Sequence, residues 1–233
     1  LQLDHVNVGN RVAATDACVQ RGSIGTGLSS NASRVDLAIA QTLSAKQIKV
    51  THGKATYGKS IDQSGSSAFG GFVKAPYSLS ADLTKILDFS KACGSAKPNT
   101  TVKKTCRPIE SFSPQICTIR ITGTSREVNI AELSAAQIAN VSTFLVDLPA
   151  GGALVTNLPE NRIAVFRGVA VDFENAAAGP IFWNFPSADN LEFSGTQFQG
   201  TVIAPDGAAK VCDQQGDAAF WVHDFNGTTS NLY

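Results

Sequence analysis

Ile181-Phe182-Trp183-Asn184-Phe185-Pro186 is an apolar run closed by a proline, and the next such run, Val202-Ile203-Ala204-Pro205, ends 19 residues later. Thr143-Phe144-Leu145-Val146-Asp147-Leu148-Pro149 and Ala164-Val165-Phe166-Arg167-Gly168 have the same form upstream, and Phe220-Trp221-Val222-His223-Asp224 repeats it downstream. Short β-branched and aromatic runs broken by Gly, Asn, Ser and Pro read as strands and tight turns. Their spacing clusters near 19 residues with no helix between them. Such a period predicts a solenoid in which each coil buries its inner face against its neighbours. The expected fold is all-β, a right-handed parallel β-helix forming a single domain over residues 1–233.

Alternation along each run assigns two faces. Phe144, Val146, Leu148, Phe166, Ile181, Trp183, Phe185, Val202, Phe220 and Val222 fall on the inward face. Leu145, Val165, Phe182, Ile203 and Trp221 fall on the outward one. An apolar stripe facing outward needs either a cover or a ligand. The clearest helical pattern lies at residues 80–93, with Leu83, Ile86, Leu87 and Ala92 or Cys93 near one face. Ser80 reads as its N-cap, Gly94 as its stop, and Leu79 as a staple onto Leu83. Two readings of the stripe stay open: this helix lies along it, or the stripe is a ligand platform. A shorter helical turn is predicted around Ile130 to Ile138.

Composition narrows the class of partner. The chain has 233 residues, of which 43% are hydrophobic and only 16% charged, with 20 Gly. This excludes a disordered chain and suggests an extracellular β protein. The 19 basic residues equal the 19 acidic ones, so no global field steers the chain toward nucleic acid. No apolar run approaches the length of a membrane span. A first residue of Leu1 and the lack of Met read as a processed or excised segment, with any signal peptide already removed.

Five cysteines, Cys18, Cys93, Cys106, Cys117 and Cys212, and three scattered histidines lack zinc-ligand spacing, so no metal or other cofactor is expected. Cys93, Cys106 and Cys117 crowd one irregular stretch, and a disulfide is expected within that trio, its connectivity open. Asn31, Asn99, Asn140 and Asn226 begin Asn-x-Ser/Thr sequons and are candidate glycosylation sites. Cysteines and sequons together favour a secreted protein.

The segment from Ile181 to Ala188, followed by Leu191-Glu192-Phe193-Ser194-Gly195 and Gly200-Thr201-Val202-Ile203-Ala204-Pro205, resembles the most recognisable motif of choice-of-anchor A domains. Val6-Asn7-Val8-Gly9-Asn10-Arg11-Val12-Ala13-Ala14 and Thr56-Tyr57-Gly58-Lys59-Ser60 are similar to N-terminal patterns of that family. The resemblance covers nearly the whole chain. It implies a right-handed β-helix with one helix packed along it, related in architecture to ice-binding proteins, on secreted or surface-anchored proteins. The cysteines, and an insertion around residues 95–118 carrying Lys103-Lys104-Thr105-Cys106, depart from the bacterial pattern. A cysteine-bearing version looks similar to the Jonah lectins of amoebal cyst walls, whose domains bind cellulose.

The function this implies is that of a secreted, non-catalytic lectin of a cell wall or cyst wall. Its partner would be cellulose or another β-glucan, with chitin as a further possibility. Stacking a pyranose needs exposed rings with polar neighbours. Trp221, with His223 on the same face, is the first candidate, and Tyr57, Phe69, Phe72 and Tyr77 form a second cluster amid Gly and Ser, near Lys54, Lys59 and Lys74. The bland alternatives are a ring packed under the helix or a terminal cap for Trp221, and anchoring of the helix approach for the Phe residues of the cluster. A structural or adhesive surface protein without glycan binding is the alternative function. Ice binding would want Thr rows on a flat sheet, whereas Thr122, Thr124, Thr143 and Thr156 are dispersed in sequence. Polysaccharide cleavage would want clustered carboxylates, and the acidic residues fall largely in turns.

Overall fold

The computed structural model describes residues 1–4, 7–8, 12–14, 17–25, 31, 35–75, 78, 80–107, 116–159, 163–175, 179–215, 217–228 and 231–232. It is predominantly β, and nearly all strand pairing among these residues is parallel. The first strands are β1 (Gln2–Asp4), β2 (Asn7–Val8), β3 (Val12–Ala14), β4 (Ala17–Ile24), β5 (Val35–Ile39), β6 (Thr42–Val50), β7 (Lys54–Tyr57), β8 (Ser60–Asp62), β9 (Ser67–Ala68) and β10 (Phe72–Lys74). Helix α1 (Ser80–Gly94) follows, then β11 (Thr101–Arg107), β12 (Ile116–Thr122), β13 (Val128–Glu132) and the short α2 (Ala135–Ile138). The remainder is β14 (Val141–Asp147), β15 (Ala153–Asn157), β16 (Ile163–Arg167), β17 (Ala170–Phe173), β18 (Ile181–Asn184), β19 (Asn190–Ser194), β20 (Gly200–Cys212), β21 (Ala218–Thr228) and β22 (Asn231–Leu232).

These elements form two compact units. The first comprises Leu1–Lys85, Lys210–Gly216 and Asp224–Tyr233. In it β4 pairs with β6, setting Ala17 beside Leu43. Thr42 of β6 in turn lies beside Ser60 of β8. A second sheet runs β10-β7-β5-β3. Leu37, Ile39, Leu43, Ala45, Ile48, Val50 and Ala55 are buried, the alternation along β6 shifting by one residue at Gln47, whose φ is 54°. Where β7 turns into β8 the chain passes so close to the Ala40 carbonyl that a Cβ on Gly58 would overlap it. Only glycine admits that approach.

The second unit comprises Ile86–Ala209 and Asp217–His223. Its parallel ladders set strand beside strand: Val128 beside Ala153, Leu154 beside Ile181, and Phe182 beside Thr201. In other ladders of the same unit Thr143 lies beside Ala170, and Ile163 beside Asn190. The inward residues expected from alternation are inside. Phe144, Val146, Leu148, Phe166, Ile181, Trp183, Phe185 and Val202 are buried, and Phe220 and Val222 are half-buried on β21. Phe144, Phe166, Trp183, Phe185, Phe193, Phe198 and Phe220 form one continuous ring network, with centroids 4.9–6.4 Å apart. Aromatic pairs at such distances add to the burial that drives the core together.

The predicted period needs correction. β18 and β20 do stack at the expected interval, Phe182 beside Thr201. By contrast, β14, β16 and β18 belong to different ladders, and paired neighbours there lie further apart in sequence, as Thr143 does from Ala170 and Leu154 from Ile181. Alternation tells whether a residue faces in or out, not which ladder its strand joins, so similar runs that follow one another in sequence need not pair. The outward column therefore scatters. Ile203 is fully buried, Phe182 and Leu145 are half-buried, and Val165 and Trp221 are 46% and 41% exposed.

Helix α1 covers part of one sheet, and of the predicted stripe its ring and cluster contacts reach Phe182, while Val165 and Trp221 stay exposed. Phe89 packs on Phe182 with centroids 5.4 Å apart, and Cys93 joins Ile130, Val155, Ala96 and Phe182 in one apolar cluster. Leu83 is 46% exposed instead of buried; the face turned to the sheet carries Ser90 and Cys93. Ser80 is the first helical residue and gives its backbone N–H to the Ser78 hydroxyl. Leu79, the proposed staple, lies outside the described residues. The weak helical turn is real but shorter: Ile130 belongs to β13, and α2 starts at the Ser134–Gln137 capping box.

Candidate functional site

The Trp183-Asn184-Phe185-Pro186 block builds structure. Trp183 is buried, its indole N–H donating to the Gln199 carbonyl at 2.9 Å. Asn184, on the opposite face of β18, is also fully buried. Its side-chain amide donates to the Ser90 carbonyl and to Asn157 Oδ1 at 2.9 and 2.8 Å, while its oxygen accepts the Ser90 hydroxyl at 2.6 Å. One strand away, Asn157 donates to the Cys93 carbonyl at 2.7 Å. Three helical residues rise about 4.5 Å, close to the roughly 4.8 Å between neighbouring strands. Successive strands can therefore each hold the helix at every third residue. The asparagines donate to carbonyls in the last turns of α1 and so tie the helix to the sheet; the Cys93 carbonyl also accepts the Ala96 N–H.

The aromatic candidates are placed in different settings. β21 alternates exposed Ala219, Trp221 and His223 with inward Phe220 and Val222. Gly200 donates its N–H to the Asp217 carbonyl, and continuing that parallel register sets Trp221 beside buried Ile203. Trp221 and His223 thus form a short exposed ridge. In the other unit Tyr57 and Phe72 are half-buried on the side of Leu37 and Ile39, since Tyr57 pairs with Ile39 and Phe72 with Ala55. Phe69 is the exposed ring of that region, at 60%. Tyr77 lies outside the described residues.

A broader surface was not legible from the sequence. The insertion expected around residues 95–118 contains the hairpin strands β11 and β12, an antiparallel pair joined by a Cys106–Cys117 disulfide. β12 continues in parallel into β14 and β17. The outward side chains of this four-stranded sheet stand in rows. One row is Thr105, Thr118, Thr143 and Ala170; the next is Lys103, Arg120, Leu145 and Asp172. A third is Thr101, Thr122 and Asp147, extended to Glu174 by its N–H to the Val146 carbonyl. Threonines dispersed along the chain are thereby brought side by side. Arg120 pairs with both Asp147 and Glu174, while Lys103 and Asp172 have no ion pair among the described residues.

Of the cysteine trio, Cys106 and Cys117 pair and Cys93 remains free, as do half-buried Cys18 and Cys212. Burial pushes the Cys93 thiol above its ordinary range, and the thiolate is the reactive form. A thiol reagent added to the folded, unreduced protein is expected to modify Cys18 and Cys212 first. Cys93 should react more than about tenfold more slowly until denaturant is added. Mass spectrometry of labelled peptides checks this, and prompt labelling of Cys106 or Cys117 would contradict the pairing.

The sequon residues Asn31, Asn99, Asn140 and Asn226 are all exposed. Asn99 is engaged at the edge of β13, accepting the Ile130 N–H at 2.6 Å and donating to the Val128 carbonyl at 3.2 Å. Among the described residues no group of three or more His, Cys, Asp or Glu is placed to hold a metal ion. Nor is any helix among them long and apolar enough to cross a membrane.

No curated protein and no solved structure matches this chain. A family model described as "Putative Ice-binding-like adhesive domain" matches residues 5–219, nearly the whole sequence. The family matched over this span agrees with the predominantly parallel β architecture and with the adhesive alternative drawn from the sequence. The chain belongs to the ice-binding-like adhesive domain family.

Proposed function

We propose that this chain is a non-catalytic adhesive domain of an extracellular surface, each unit winding as coils of a right-handed β-solenoid. Parallel crossovers are right-handed in nearly all proteins, and the coil-on-coil offsets support that winding. The observation that carries the adhesive reading is the open β11–β12–β14–β17 sheet, which holds hydroxyl and charged side chains in straight rows. Such a face offers many weak contacts at fixed spacing, which suits holding a surface better than enclosing a small molecule.

The test is retention under flow of beads carrying the domain, compared with beads carrying an unrelated protein, on surfaces coated with the domain, with cellulose and with nothing. Retention above the control on at least one surface supports adhesion. Thr143→Arg, at the middle of the sheet, is expected to lower it about tenfold. Retention equal to the control on every surface would sink the reading.

The glycan-binding reading, with its closer likeness to choice-of-anchor A domains and cyst-wall lectins, rests on a different observation. Trp221 stands exposed beside Ala219 and His223 on β21, a ridge able to stack one sugar ring. In that case the cellulose surface alone retains the beads, and Trp221→Ala removes the retention. The Trp183-Asn184-Phe185 block lends this reading no weight, because its side chains are committed to the core and to α1.

A further inference from the structure

We infer that the open face of the β11–β12–β14–β17 sheet recognises a second copy of this chain, across a two-fold axis lying in the interface and parallel to the strands. The inference rests on the adhesive reading and names its partner.

Charge changes sign across this face. β11 at one edge exposes Lys103 and Arg107, and β17 at the other exposes Asp172, followed by Glu174. Rotation about an axis along the strands reverses the order of strands but keeps each row in its place. Lys103 of one copy then faces the other copy's Asp172, and Thr101 and Thr122 face carboxylates Glu174 and Asp147. In the threonine row Thr118 faces Thr143 at the centre, and Thr105 faces the small Ala170. Arg120 meets Leu145 and keeps its own ion pairs with Asp147 and Glu174. The other in-plane axis, perpendicular to the strands, would set Lys103 over the strand that carries it and bring like charges together. The sequence of side chains therefore selects one of the two arrangements.

Lys103 and Asp172 have no ion pair among the described residues, so each is available to a partner. The face is small. Four strands about 4.8 Å apart and seven residues long cover roughly 350 Å², against about 800 Å² per partner in a stable complex. A single pair of copies is accordingly weak and short-lived. Many copies displayed on opposing surfaces would hold by avidity.

The experiment is sedimentation velocity of the purified chain at about 10 mM salt, where charges reach about 30 Å, and at about 0.15 M, where they reach about 8 Å. A concentration-dependent dimer that weakens with salt is expected. Lys103→Glu alone and Asp172→Lys alone should each weaken dimerisation about tenfold or more, because each places two like-charge pairs across the axis. An equimolar mixture of these two variants should recover the dimer, since Glu at 103 of one copy then faces Lys at 172 of the other while the native pair forms on the second side.

Single variants that dimerise like the parent, or a mixture that fails to recover, would overturn the inference. So would a parent chain that stays monomeric at low salt and high concentration. If the parent is monomeric while domain-bearing beads still hold to cellulose or bare surface above the control, self-recognition fails and adhesion stands. If no surface retains the beads, both fail.

Discussion

Trp183→Ala is expected to destabilise the fold by about 3–5 kcal/mol, a large share of the roughly 5–15 kcal/mol that holds a typical domain together. The indole is fully buried between Phe144 and Phe198, each with its ring centroid 4.9 Å away. Removing it leaves a cavity within a ring network that cannot collapse around it, and the Gln199 carbonyl loses its donor. Trp183→Phe keeps most of the volume and should cost roughly 1–3 kcal/mol through the lost hydrogen bond and imperfect fit. Urea unfolding followed by circular dichroism measures both. An alanine variant within about 0.5 kcal/mol of the parent, the range of surface substitutions, would mean the ring does not sit in the core.

Asn184→Ala should be nearly as damaging, at about 3 kcal/mol or more, because it leaves the Ser90 carbonyl, the Ser90 hydroxyl and Asn157 Oδ1 buried with a partner removed. Asn184→Asp is a sharper version. It keeps the shape but turns a donor into an acceptor facing two other acceptors, and no cation is among the groups that Asn184 contacts here. Helix α1 should loosen first, so amide hydrogen exchange over residues 86–94 is expected to accelerate even under conditions where the strands stay protected. Combining Asn184→Ala with Ser90→Ala should cost less than the sum of the two, since both remove the same hydrogen bond. Strict additivity, with no change in exchange of the helix, would contradict the asparagine tie.

Inward and outward assignment was legible because alternation is a local property: Phe144, Phe166, Trp183, Phe185 and Val202 could be placed from their neighbours alone. The existence and bounds of the helix were legible from its pattern and from the serine and glycine that prove to be its first and last residues, but not its buried face, since Leu83 is exposed. Which ladder each strand joins was not, since it depends on the lengths of the connections between strands. The step is long from Thr143 to Ala170 and from Leu154 to Ile181 but short from Phe182 to Thr201 and, in the other unit, from Thr42 to Ser60, so no single period describes the chain. The buried role of Asn184 was hidden for a related reason. An asparagine beside prolines and aromatics reads as a turn residue, and only the helix laid over it supplies the carbonyls it serves. The candidate adhesive face was hidden because its rows draw on Thr105, Thr118 and Thr143 from separate strands, the first two in an insertion. Exposure of Trp221 was expected from parity and is found, but parity alone could not separate it from Ile203, which has the same orientation and is fully buried.

The most direct test of adhesion through the sheet is bead retention under flow for three proteins side by side: the parent chain, Thr143→Arg and Trp221→Ala. Adhesion through the β11–β12–β14–β17 face requires retention by the parent and by Trp221→Ala, and its loss in Thr143→Arg while circular dichroism shows the fold intact. Retention that survives Thr143→Arg and disappears with Trp221→Ala would contradict it and move the contact to the ridge on β21.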